Sequence, residues 1–161
     1  MSDIITYNEF NKSKVFARIK KYCAYRDRCH KEVMSKLVEL KVNEEISNEI
    51  LSELIAEGYL NEERYARSFV RGKYRINKWG RNTIIKKLKQ NEISQFLINK
   101  ALEEIIETEY LSNLRHLLEE KDRIVKFKNQ YDRYNKLFSY VYRKGYESEL
   151  IKETIEDLIN S

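Results

Sequence analysis

Between Arg64 and Lys89 the chain carries ten basic residues, Arg64, Arg67, Arg71, Lys73, Arg75, Lys78, Arg81, Lys86, Lys87 and Lys89, and no acidic one. Cations gathered in this way recognise phosphates or carboxylates, arginine by paired hydrogen bonds and lysine as a compact point charge. Five of them, Arg64, Arg67, Arg71, Arg75 and Lys78, recur at steps of three or four and share one stripe of a helix, opposite Tyr65 and Phe69. Trp79, the only tryptophan, follows the stripe and precedes Gly80. An indole there either plugs a packing seam or anchors a partner. Charged helix faces are usually just solvated, but the absence of carboxylates across this span favours a partner-binding surface formed by the ten cations and Trp79.

Other chemistries fail on residue type and spacing. Cys23, Cys29 and His30 lack a second ligand pair at zinc-type spacing, and His116 stands alone in NLRHLLEEK. There is no phosphate-cradling glycine loop, zinc-protease pattern or nucleophile elbow, and the carboxylates are scattered rather than paired. No enzyme, metal or cofactor is expected.

The elements that position the basic run follow from a repeat. The 161 residues include no proline and only four glycines, which favours long helices joined by short turns. The segments MSKLVELKVNEEISNEILSEL, IKKLKQNEISQFLINKALEEI and FSYVYRKGYESELIKETIEDL align without a gap. Leu37, Leu88 and Val141 coincide, and five residues later stand Val42, Ile93 and Tyr146. Four-residue steps then give Ile46, Ile50 and Leu54, next Leu97, Ala101 and Ile105, and last Leu150, Thr154 and Leu158, which is helical periodicity. Asn43 and Ser94 stand where an N-cap is needed, and Glu147 suits the positive end of a helix dipole.

With the amphipathic stretches upstream of each pair, this predicts an all-α, elongated tandem array of three three-helix repeats. Residues 13–60, 61–107 and 108–161 form the units, with tight turns near 41–43, 90–93 and 144–146, after a loosely held arm at 1–12. The first helix of the third unit, within 108–130, is the least regular.

Helix, tight turn, helix invites a reading in which the third helix enters a DNA groove. The third helices are glutamate-rich, however, with Glu44, Glu45, Glu49, Glu53 and Glu57 in the first unit, Glu103, Glu104 and Glu107 in the second, and Glu147, Glu149, Glu153, Glu156 and Asp157 in the third. They would meet phosphate repulsion. Basic middle helices beside acidic third helices suit a composite surface, part protein and part nucleic acid, with Ile84, Ile85 and Leu88 buried and Lys86, Lys87 and Lys89 turned outward. The balance of 31 Lys+Arg against 26 Asp+Glu, +5 overall with a pI near 9.0, fits a polyanionic partner. Residues 1–14 lack a signal-peptide pattern and no apolar run approaches a membrane span, so a cytoplasmic protein, monomeric and free of membrane, is expected.

GYLNEERYARSFVR at 58–71 and WGRNTIIKKLKQNEI at 79–93 resemble the RecX family of bacterial regulators of the RecA recombinase. The family pattern is met by Gly58 and Tyr59, Glu62 and Glu63, Arg64, Tyr65 and Ala66, then Trp79 and Gly80. YRKGYESELI at 142–151 matches the family's third-unit turn, and the register extends over about residues 14–158. Arg81 stands where proline commonly follows Trp-Gly, and Lys41 and Glu92 occupy the turn position filled by Gly145. The resemblance implies a regulator that binds the RecA–DNA filament, meets single- or double-stranded DNA weakly or through RecA, and inhibits RecA ATPase, strand exchange and coprotease activity. The alternatives are a sequence-nonspecific nucleic-acid-binding helical protein and a helical scaffold for an unrelated partner.

Overall fold

The structure, a computed structural model, describes residues 9–161. Nine helices and no strand occur among the described residues, in three groups of three. The first unit holds α1 (Glu9–Tyr25), α2 (His30–Glu39) and α3 (Glu44–Ala56). The second holds α4 (Glu62–Arg75), α5 (Arg81–Gln90) and α6 (Gln95–Leu102), and the third α7 (Glu107–Ile124), α8 (Gln130–Arg143) and α9 (Ser148–Asn160). Of the arm expected at 1–12, residues 1–8 lie outside the described residues and 9–12 are part of α1. The irregular stretch after residue 107 is one helix of 18 residues.

The positions shared by the three copies have a common cause. Each second helix ends in a Schellman turn, in which the backbone N–H five residues after the last core residue returns to that residue's carbonyl. Val42 donates to Leu37, Ile93 to Leu88 and Tyr146 to Val141, at 3.0, 3.1 and 3.3 Å. Such a turn places a left-handed residue just before its apolar contact. Gly145 takes that conformation at φ 102°, and Lys41 and Glu92 take it at φ 60° despite their side chains. Asn43 and Ser94 then cap α3 and α6 by accepting from the Ile46 and Leu97 amides. Glu147 caps nothing with its side chain, which is engaged elsewhere.

Two departures from expectation matter for charge. The second unit's third helix is short, because α6 ends at Leu102, so Glu103 and Glu104 lie in the following turn and Glu107 opens α7. The early turn carries Ile105 into the core.

The cores are unequal. Tyr65, Val70, Ile84, Leu88, Tyr110, Leu137 and Tyr146 belong to one cluster that runs through the second and third units. Ile19, Val33, Leu37, Ile50 and Leu54 form a separate cluster in the first unit. That unit meets the second through Cys29, which packs into the larger core, and through polar bridges: Arg64 to Asp27 at 2.7 Å, His30 N to Glu62 at 3.2 Å, and Lys31 to the Gln90 carbonyl at 2.6 Å.

The second and third units are locked by backbone. Gly80 N donates to the Lys144 carbonyl at 2.8 Å and Asn82 N to the Gly145 carbonyl at 2.9 Å. A Cβ on Gly80 would lie 2.1 Å from the Gly145 carbonyl carbon, and one on Gly145 would lie 2.4 Å from Thr83 Oγ1. Gly80→Ala should therefore destabilise the fold by roughly 3 kcal/mol, as an overpacked contact with no flexible neighbour to yield. Gly72 sits inside α4 with open space around it, and Gly72→Ala should stabilise by about 0.5–1 kcal/mol. Paired denaturant titrations separate the two; equal effects would mean that the Gly80 contact is not tight.

Candidate protein and nucleic-acid interface

The carboxylate-free run of the sequence is not carboxylate-free in space. Arg64 meets Asp27, Arg67 reaches Glu104 at 3.2 Å and Glu103 at 3.7 Å, and Arg71 shares Glu104 at 3.2 Å. Arg75 pairs with Glu109 at 3.1 Å, and Lys78 donates to Asn113 at 3.1 Å. The acidic turn after α6 and the first turn of α7 thus lie against the α4 stripe. Arg64 and Arg75 thereby tie the second unit to its neighbours, while Arg67 and Arg71 hold the turn that leads to the third.

Arg81 has been drawn furthest inward. Its guanidinium bridges Glu107 and Glu147 and lies 4.1 Å from the centre of the Tyr110 ring. A cation at the first position of α5 opposes the helix dipole, and the two glutamates offset it. Tyr110 donates its hydroxyl proton to Glu147 and accepts from Arg81 N; burial and the adjacent carboxylate push this phenol's pKa far above its ordinary value. Tyr146 donates to the Lys78 carbonyl at 2.9 Å. Trp79 is half-buried against the shared core, edge-on to Phe69 at 6.4 Å, with the Lys73 ammonium 4.8 Å above its ring.

The cations left open are on α5. Lys86, Lys87 and Lys89 are exposed with no carboxylate in salt-bridge range among the described residues, while Ile84 and Leu88 are buried and Ile85 packs on the core. Of the eleven residues singled out by sequence, the structure leaves these three exposed, sets Lys73 over the half-buried Trp79, and turns Arg64, Arg67, Arg71, Arg75, Lys78 and Arg81 to internal partners.

A second positive surface escaped the sequence reading. Residues 121–144 hold eight basic and two acidic residues with six aromatics interleaved. The two aspartates interrupt the run, and the interleaving of Tyr, Phe, Lys and Arg was the available signal.

The cysteines carry no reactive chemistry. Both are buried and unpaired by disulfide, and burial pushes the Cys29 thiol up to about 11, so it stays protonated at neutral pH. Among the described residues no three His, Cys, Asp or Glu side chains gather as metal ligands, and no helix is long and apolar enough to cross a membrane.

Residues 61–102 match the model of the second three-helix domain of RecX, and residues 107–155 that of its third. The chain belongs to the RecX family. The regulatory protein RecX of Bacillus cytotoxicus is 28% identical over 154 residues, covering 96% of this chain and 57% of its own length. That of Bacillus mycoides is 27% identical over the same spans. The chain therefore covers little more than half the length of these curated relatives. RecX from Lactobacillus salivarius, a crystal structure, superposes with a TM-score of 0.82 at 25% identity, over 93% of this chain and 97% of that one. A second RecX crystal structure, 23% identical, shares the fold at the same TM-score over 90% of this chain and 73% of its own. The Trp-Gly and Lys-Gly-Tyr motifs of the RecX resemblance are the two halves of the backbone lock between units.

Glu104 offers a test of the internal pairing. Burial works against its charged form, but the hydrogen bonds from Arg67 and Arg71 outweigh it and hold the carboxyl below its ordinary value of 4.5. A lowered folded value contributes stability that is complete above the unfolded value and lost as pH falls through the folded one. In this solvent-accessible cluster the contribution is about 1 kcal/mol or less. Glu104→Gln should lower stability slightly at neutral pH, and the gap from the parent should close as the pH drops below 4.5. A gap that is constant with pH would remove the carboxylate from the account.

Proposed function

We propose that this chain is a regulator that binds the RecA–DNA filament and lowers its ATP hydrolysis, strand exchange and coprotease activity, without chemistry of its own. Membership of the RecX family supports the partner. The observation that carries the contact is the α5 face, where Lys86, Lys87 and Lys89 stand exposed without carboxylates on a helix fixed at both ends by its neighbours.

The physical means is differential binding. A row of three units touches more than one subunit of a filament, and binding one filament conformation more tightly shifts its population. The protein works as a monomer in the cytoplasm, where the filament forms. DNA reaches the α5 face chiefly as part of that assembly.

Changing Lys86, Lys87 and Lys89 to alanine should leave helicity and thermal stability nearly unchanged, as surface substitutions do. Inhibition of the DNA-dependent RecA ATPase should weaken by tenfold or more in the concentration required. A folded triple variant that inhibits as well as the parent would show α5 to be a solvated face.

A further inference from the structure

The hairpin of α7 and α8 concentrates unbalanced charge differently from α4. Its tip, residues 121–144, holds two carboxylates, and both are spent inside it. Asp122 takes Arg133 in a bidentate pair at 2.7 and 2.6 Å, and Asp132 accepts from Lys128 N at 3.0 Å and pairs with Lys136 at 3.1 Å. These contacts set the hairpin's geometry. They leave Lys121, Arg123, Lys126, Lys128, Arg143 and Lys144 with no carboxylate in salt-bridge range among the described residues.

Between the helices lies a groove of ≈ 410 Å³ whose charged lining is Lys121, Lys136 and Arg143, with Asn135, Ser139 and Tyr140 beside them. Tyr140 is held from two sides, with the Lys121 ammonium 4.9 Å and the Lys144 ammonium 5.3 Å from its ring centre. Along the adjoining edge of α8, rings stack at helical spacing, Tyr134 on Phe138 at 6.1 Å and Phe138 on Tyr142 at 5.6 Å. The ladder ends in solvent. Tyr142 is 54% exposed, Tyr131 on the same helix 78%, and Phe127 in the hairpin loop 42%.

Exposed rings beside unpaired cations match one ligand chemistry. Phosphates meet the lysines and arginines, and unstacked bases lie on the rings, which duplex DNA does not offer because its bases are already stacked. From this arrangement we infer that the α7–α8 hairpin is a direct binding site for single-stranded nucleic acid, separate from the α5 face. An acidic protein segment would use the cations but would gain little from the open rings.

The site does not depend on the filament reading, and its test omits RecA. Fluorescence anisotropy of a labelled oligo(dT) strand at several salt concentrations reads binding by the full chain, with a duplex of the same length and polyglutamate as competitors. Lys121→Ala with Arg143→Ala should weaken binding at least tenfold and reduce the salt slope by about 1.4, at about 0.7 per phosphate contact on a single strand. Tyr131→Ala with Tyr142→Ala, both solvent-facing, should weaken it roughly tenfold while leaving the salt slope unchanged. Circular dichroism establishes that each variant is folded. No binding by the folded parent, insensitivity to both hairpin variants, or competition by duplex or polyglutamate equal to that by unlabelled strand would each overturn the proposal. Failure of the α5 variant to relieve RecA inhibition would instead count against the filament contact alone.

Discussion

The close approach of Gly80 to Gly145 is the contact on which the rest of the arrangement depends. Two backbone hydrogen bonds cross there between residues 63 and 64 positions apart in the chain, and they form only because neither glycine carries a Cβ. With the entry to α5 seated on the turn after α8, the second and third units close over one core rather than two. Tyr110 and Tyr146 meet beneath the junction with ring centres 5.0 Å apart, and Arg81 closes it from outside through two glutamates. The family's usual proline after Trp-Gly would pre-set the helix entry; here an ion-paired arginine occupies that position, so this entry is fixed by tertiary contacts.

That junction decides which charges are free. Because α7 is brought against α4, Glu109 finds Arg75 and Asn113 finds Lys78, while the turn after α6 carries Glu104 to Arg67 and Arg71. Half-exposed pairs of this kind add little net stability each. Their larger consequence is the pattern of charge that remains: lysines on α5, and a basic, ring-lined hairpin at the far end of the shared core. Long-range attraction to a polyanion depends on these unpaired groups more than on the total of +5.

The fold was legible in the sequence because its determinants are local. The Schellman turn ties residues five apart, so Leu37 with Val42, Leu88 with Ile93 and Val141 with Tyr146 stood out without knowledge of the rest. The N-caps at Asn43 and Ser94 are local for the same reason. The site was legible only in part. Counting charges along the chain shows the basic span, but the partners named for its arginines lie 26 to 66 residues away and are brought in by tertiary packing. The same blindness hid the hairpin, where two aspartates dilute the run in sequence yet turn to Arg133, Lys136 and the backbone in space.

A filament regulator of the kind proposed recognises an assembled filament in preference to its separate components. Co-sedimentation measures this directly, with RecA filaments assembled on single-stranded DNA and a slowly hydrolysed nucleotide, against RecA alone and DNA alone, at near-physiological salt. Binding to the filament should be saturable, should exceed binding to either component, and should persist when salt is raised enough to strip the protein from bare DNA. Equal binding to bare DNA and filament, lost in parallel as salt rises, would contradict it and leave a nucleic-acid-binding protein in its place.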